Sequence, residues 1–292
     1  MKNPAPALIL ALAGCAAAPQ PAPVPVSAVV ANPAAAEKPP EGMQYLYGSA
    51  EAAALSVQAY NVLVDAVRQN LATSKPPQSA IVMPEGTPVP SCAGKPLAAV
   101  FDMDETAVLN TGFEYNDART GQGYNPARWA RWEQTGAEKV DPVPGAKAAF
   151  AALRAMNVTP IINTNRGAAS AEQTAKALAF AGLGEFRHGE TLFLKGDVDG
   201  KSGKDGRRLA IAAKWCVVAL GGDQLGDFTD ALTGVAAATR RQAAMTASYE
   251  ALWGRRWFLL PNPVYGSGLG SGWDDTFPAE RRWADPAAQG VK

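Results

Sequence analysis

Leu97-Ala98-Ala99-Val100-Phe101-Asp102-Met103-Asp104-Glu105-Thr106 is the stretch on which the fold turns. Five apolar residues follow one another without a polar interruption, then stop at an aspartate. A half-exposed strand would alternate. An unbroken apolar run cut off by charge marks a strand covered on both faces of a parallel sheet. The pattern recurs downstream. Residues 158–163 read as a second such strand, ending in Thr164-Asn165-Arg166-Gly167. Residues 191–194 read as a third, 215–220 as a fourth ending in Gly221-Gly222-Asp223, and 257–260 as a fifth. Helical stretches alternate with them at 145–156, 170–181, 206–214 and, rich in alanine, 235–253. Ser170-Ala171-Glu172-Gln173 has the form of a capping box. Strand and helix in alternation predict an α/β fold built on a doubly wound parallel sheet.

Upstream, residues 45–71 lack proline and read as a helix with Ser49 and Glu51 near its start. Residues 73–96 carry six prolines and read as a loop. The N-terminus reads as an address. Met1-Lys2 is followed by a short apolar run over 7–13, far below the ~20 residues that span a bilayer. Leu12-Ala13-Gly14-Cys15 resembles the lipobox of bacterial lipoproteins, which implies cleavage before Cys15 and lipidation of its sulfur. Each buried CH₂ of an acyl chain adds about 0.8 kcal/mol of membrane affinity. Residues 16–40 are almost all Ala, Pro and Val and suit an extended tether. The expected organisation is a signal peptide over 1–14, lipidated Cys15 and tether over 15–42, and a globular domain over 43–292.

Composition excludes several activities. Lys plus Arg and Asp plus Glu are 27 each, so no basic excess exists to hold a nucleic-acid polymer. One histidine, His188, argues against His-paired zinc and a Ser-His-Asp triad, and reads as a surface loop residue. Three cysteines form no C-x-x-C pair. Cys216 falls inside the fourth strand and reads as a small buried hydrophobe. An oxidising envelope would permit a Cys92–Cys216 bond, but sequence supplies no distance.

In a parallel sheet, ligands gather at the carboxyl ends of the strands. There the chain would place Asp102, Asp104, Asp223 and Asp227 in one crevice. Two unit charges about 4 Å apart repel by roughly 4 kcal/mol at an effective dielectric of 20. A hard divalent cation removes that repulsion, and all-oxygen donors point to Mg²⁺. A phosphate ester is then the natural substrate, because a cation and a lysine stabilise its equatorial oxygens. Carboxyl groups of 102 and 223 more than about a nanometre apart would exclude a shared ion.

Asp-Met-Asp-Glu-Thr at 102–106, Thr-Asn-Arg at 164–166 and Gly-Asp-Gln-Leu-Gly-Asp-Phe at 222–228, in that order and behind a lipobox, resemble the haloacid dehalogenase superfamily. Within it the chain is similar to the class C, four-aspartate acid phosphatases, the outer-membrane lipoprotein acid phosphatase/5′-nucleotidase family. The similarity runs from about residue 45 to 265. The resemblance implies Asp102 as a nucleophile that becomes an aspartyl-phosphate. Asp104 would act first as general acid, then as base. An ordinary aspartate titrates near ~3.9, so Asp104 needs its proton held by its surroundings, and an acidic optimum follows. Thr164 would hydrogen-bond the phosphoryl group. Asp223 would bind Mg²⁺ with Asp102 and the Asp104 carbonyl, and Asp227 would orient that shell or bind through water. Ser202-Gly203-Lys204-Asp205-Gly206-Arg207 matches the family's Ser-x-Lys-x-x-Arg pattern and selects Lys204, with Lys195 and Lys201 as competitors.

The resemblance also places a small helical cap at 107–140, holding Phe113, Tyr115, Tyr124, Trp129 and Trp132, with Asn125-Pro126 as a helix start. Trp129 and Tyr265 are candidates to stack on a nucleobase, and Asn165 and Arg166 to touch substrate; Arg166 could as easily pair with a core carboxylate. Asn110 stands where the family commonly has aspartate. Residues 196–202 look like a P-loop but have three residues between the glycines where four are required. The expectation is a small-phosphomonoester hydrolase on the periplasmic face of the outer membrane, joined to the membrane by its lipid anchor. A phosphotransferase using the same intermediate and a silent nucleotide- or protein-binding lipoprotein are the alternatives. The resemblance carries homodimerisation as an option that no local sequence feature supports.

Overall fold

A computed structural model describes residue 1 and residues 38–285. The chain divides into two units, 1–32 and 33–292, and every element below lies in the second. The expected signal peptide, Cys15 and the tether up to residue 37 lie outside the described residues. From residue 38 on, the chain forms α1 (Ala50–Leu71), β1 (Leu97–Phe101), β2 (Val108–Leu109), α2 (Thr111–Thr120), α3 (Pro126–Thr135), β3 (Asp141–Pro142) and α4 (Ala146–Ala155). It continues with β4 (Val158–Gly167), α5 (Ala171–Phe180), β5 (Leu192–Lys195), α6 (Asp205–Lys214), β6 (Cys216–Gly222), α7 (Ala237–Ala244), α8 (Ala247–Glu250) and β7 (Trp257–Leu259).

The five long-range strands form one parallel sheet in the order β5-β4-β1-β6-β7. The expected α/β sheet is therefore the one observed, with β1 at its centre. Its apolar run has a direct cause. Ala99 and Phe101 pack with Tyr60, Leu63 and Phe150 on one face, while Ala98 and Val100 pack with Ile211, Val217 and Trp257 on the other. Both faces are covered, so alternation would leave a polar group without water. Between β1 and α4, the β2–β3 pair and helices α2 and α3 form the cap insertion.

Three local expectations are corrected. The helix expected over 235–253 is two short ones, because Thr246 is extended between them (φ −66°, ψ 151°). The break turns Tyr249 and Trp253 onto Trp257, with ring centroids at 5.4 and 5.2 Å, and Trp253 donates to the Ala244 carbonyl at 3.0 Å. Tertiary aromatic packing outweighs alanine's helix preference here. Ser170 makes no capping box; its hydroxyl instead donates to buried Glu133 at 2.8 Å, tying the cap to β4. Cys216 is not a free buried thiol. It is bonded to Cys92, whose loop lies against the start of β6.

Candidate active site

The sheet delivers the acidic groups as its register dictates. The Asp102 amide donates to the Gly221 carbonyl at 3.0 Å, continuing the β1–β6 ladder by one step. Asp102 therefore emerges beside Gly222 and Asp223. A short helical turn after β6 brings back Asp227, whose Oδ2 accepts from the Gln224 amide at 2.8 Å. Oxygens of Asp102, Asp223 and Asp227 lie within 4.8 Å of one another. The Lys204 ammonium sits between two of them, donating to Asp102 and, at 2.7 Å, to Asp227. All four residues are buried.

Three carboxylates against one ammonium leave two negative charges in a buried place. Burial pushes the Asp102 carboxyl well above the usual range; Lys204 pulls it down, while Asp227, Asp223 and Asp104 push it up. Burial, with Asp227 beside it, pushes Asp223 up to about 7, against the pull of donors from Asn262 and Gln224. An all-oxygen donor set with two uncompensated charges fits one hard divalent cation. Gly222 makes the crowding possible: a Cβ there would stand 2.3 Å from that of Asp227. Gly222→Ala must push Asp227 off Lys204. We expect about 1–3 kcal/mol of lost stability in urea melts and a fall in kcat/KM of at least about tenfold.

Asp104 is held differently. Its Oδ1 accepts from Arg166 Nε at 3.0 Å, Arg166 Nη2 at 2.7 Å and Asn110 Nδ2 at 3.0 Å. Its Oδ2 has only longer partners, Arg166 Nε at 3.3 Å and the Thr164 hydroxyl at 3.5 Å. Arg166, expected at the substrate, is instead a buried clamp on Asp104 and Asn110, so the carboxylate-partner alternative is the one the structure builds. Thr164 is fully buried within β4 and accepts from the Arg166 amide at 3.1 Å.

A crevice of about 930 Å³ opens over these groups. Asp102, Asp104, Asn165, Lys204, Asp223 and Asp227 line its floor; Phe113, Tyr124 and Trp129 of the cap and Tyr265 line its walls. Of the competing lysines, Lys195 reaches only its rim, exposed, and Lys201 lies outside it. Trp129 packs edge-on against Phe113 at 4.9 Å and covers the Arg166 guanidinium at 5.8 Å. Trp132 faces inward and donates to Asn110 at 3.1 Å.

Sequence reasoning left three residues of this site without a role. Glu105 sits in the left-handed region (φ 54°) and is buried. Its carboxylate accepts from Tyr47 at 2.9 Å, from the Asn110 amide at 2.8 Å and from the Tyr265 hydroxyl. Those bonds join the segment before α1, the cap and the chain after β7 on one side chain, and they hold the strained backbone in place. Asn262 donates to Asp223 at 2.8 Å and accepts from the Val264 amide at 3.0 Å. Asn110 bridges Asp104, Glu105, Arg166 and Trp132. Glu105 lies inside the Asp-Met-Asp-Glu-Thr motif and Asn110 departs from the family pattern; either was a signal. Asn262 opens the segment 262–266, which resembles a family segment and is read for the aromatic Tyr265 alone.

Residues 30–268 match the model of the HAD superfamily, subfamily IIIB (Acid phosphatase). The structure is similar to that of the class C acid phosphatase from Bacillus anthracis, with 27% identity and a TM-score of 0.63 over 77% of this chain and 84% of that one. It is also similar to the crystal structure of the Bacillus anthracis class C enzyme with tungstate bound, with 26% identity and a TM-score of 0.62 over the same shares. Acidic groups gathered at the edge of a parallel sheet, beneath a helical cap, therefore have a family: the chain belongs to the HAD superfamily, subfamily IIIB, and is a phosphomonoesterase of the acid phosphatase type.

Proposed function

We propose that the chain is a Mg²⁺-dependent phosphatase that hydrolyses nucleoside monophosphates and other small phosphate esters through an aspartyl-phosphate on Asp102. The observation that carries the reading is the meeting of Asp102, Asp223 and Asp227 around the Lys204 ammonium. Asp102, Asp223 and the Asp104 carbonyl would hold the cation, with Asp227 orienting or holding it through water. Bound there, Mg²⁺ would supply charge stabilisation for the phosphoryl oxygens.

An Asp102 carboxylate oxygen attacks phosphorus, and the bond from phosphorus to the ester oxygen breaks. Asp104 donates its proton to that departing oxygen. Arg166 and Asn110 hold Oδ1 at 2.7 and 3.0 Å, while Arg166 and Thr164 reach Oδ2 at the longer 3.3 and 3.5 Å, so Oδ2 is the atom that carries the proton. Asp104 then takes a proton from the water that attacks phosphorus, the acyl-phosphate bond breaks, and Asp102 is regenerated. Lys204 offsets charge on the phosphoryl group and pulls the Asp102 carboxyl back towards its ionised form against burial and the neighbouring carboxylates.

Substrate choice falls to the crevice walls. Trp129, Tyr124 and Tyr265 present aromatic surface at the mouth, where a base stacked on an aromatic ring gains roughly 1–3 kcal/mol. The lipobox at Cys15 and the tether after it support an outer-membrane lipoprotein facing the periplasm.

Chelation is expected to abolish hydrolysis of an aryl phosphate and Mg²⁺ to restore it. Mg²⁺ at about 100 times its Kd should stabilise the wild type by about 2.7 kcal/mol in thermal melts, and Asp223→Ala by far less. Full activity in chelator would overturn the metal assignment. Among substrates, kcat/KM for a nucleoside monophosphate should exceed that for a sugar phosphate and fall towards it in Trp129→Ala.

A further inference from the structure

Arg207 is fully buried and makes no ion pair among the described residues. Its Nε donates to Asn163 Oδ1 at 2.6 Å, its Nη1 to the Leu194 carbonyl at 3.2 Å, and its Nη2 to Asn165 Oδ1 at 2.5 Å and, more weakly, to the Ser202 carbonyl at 3.5 Å. Every acceptor is neutral. Burial, with Arg208 beside it, pushes the guanidinium below its usual range, while Asp102, Asp197 and Asp230 pull it back. A buried cation held only by neutral oxygens is an expensive arrangement.

One of those oxygens belongs to a residue of the crevice floor. Asn165 is exposed there, and among the described residues its amide nitrogen has no partner. A guanidinium has five donors and no acceptor, so the atom of Asn165 facing it must be the oxygen. In a planar amide the NH₂ group then points the other way. Without the arginine the amide could flip and offer substrate an acceptor, which repels an anion.

We propose that Arg207 is a positioning residue that locks the Asn165 amide with its carbonyl inward and its NH₂ towards the crevice, where it donates to an oxygen of the phosphoryl group. The inference rests on the phosphomonoesterase reading and assigns the arginine of the Ser-x-Lys-x-x-Arg segment a task separate from that of Lys204.

Asn165→Asp separates this from a purely structural bond. The aspartate gives Arg207 the counter-charge it lacks, so the melting temperature should hold or rise. It also turns a second oxygen towards the phosphate. Inhibition of aryl-phosphate hydrolysis by inorganic phosphate should then weaken about 10–100-fold, with KM rising alongside. A structural role predicts the same melting behaviour with phosphate inhibition and KM unmoved, and that result overturns the proposal. If Asn165→Asp does not fold, Asn165→Ala takes its place and must weaken phosphate inhibition by at least about fivefold.

Arg207→Gln tests the arginine itself. Its loss of phosphate inhibition should largely vanish when measured in an Asn165→Ala background, since the two act as one unit. An undiminished loss there overturns the positioning role. If Arg207→Gln does not fold, the Asn165 variants decide. Asp102→Asn, assayed alongside, reports on the phosphatase reading alone: it loses turnover whether or not Asn165 touches phosphate.

Discussion

Asp102→Asn is expected to lower turnover of an aryl phosphate by at least about 10⁴-fold, with no loss of thermal stability in cation-free buffer. The two readouts have separate causes. The amide keeps the shape of the carboxylate but presents no anionic oxygen, so the covalent route closes. Lys204 keeps its bond to Asp227 at 2.7 Å, and the crevice keeps its form. The stability effect follows from linkage. Burial raises the Asp102 carboxyl in the folded chain, and the repulsion of Asp227 and Asp223 adds to it against the pull of Lys204. A raised acid penalises folding above its unfolded value, near ~3.9, and the penalty grows until pH passes the folded value. At neutral pH the asparagine removes that penalty. Circular-dichroism melts in chelator should therefore show a midpoint equal to or above the wild type. Retained turnover would strip Asp102 of its role as nucleophile, and a large fall in the midpoint would mean that Lys204 depends on both carboxylates.

How much of this was readable beforehand depends on how local each cause is. The strands were legible because burial on both faces leaves a chemical trace in the run itself, as at 97–101. The aspartates were legible because a buried run that ends in acid has few bland explanations. Lys204 was separable from Lys195 and Lys201 by its spacing to Arg207, and the structure gives the physical reason: only it is buried between carboxylates. The misreadings share one source. Ser170, the 235–253 helix and Cys216 each had a sound local interpretation that a distant partner overrode. Glu133 took the serine, Trp257 took the second half of the helix, and Cys92 took the thiol. Arg166 was undecided for the same reason, since its choice between Asp104 and substrate is made across 62 residues of chain. Glu105 is the deepest case. Its meaning lies in donors on three residues, Tyr47, Asn110 and Tyr265, from three segments, and no window of sequence contains them all.

Replacing both bonded cysteines by alanine is expected to cost about 3–5 kcal/mol of stability, read as a lower urea midpoint, while kcat/KM without denaturant stays within about twofold. The bond joins positions 124 residues apart. The loop it closes contains β1, the cap, β4, β5 and α6, and therefore Asp102, Asp104, Thr164 and Lys204; Asp223 and Asp227 lie just beyond it. In the unfolded chain such a crosslink removes conformations in proportion to the logarithm of the loop, so a long loop gives a large effect. The native site has no further need of the bond. Cys216 opens β6, paired with Leu97 of β1, at the opposite end of the strand from Gly222 and Asp223. Alanine is the right replacement, because a serine hydroxyl at the buried Cys216 position would want a partner. Activity should thus survive at low temperature and disappear at a lower one than in the wild type. An unchanged midpoint would mean that the unfolded chain is already compact enough to hold residues 92 and 216 together. The same arithmetic ties stability to compartment. Only an oxidising environment forms this bond, so a chain made and kept in a reducing one should match the double-alanine variant in midpoint.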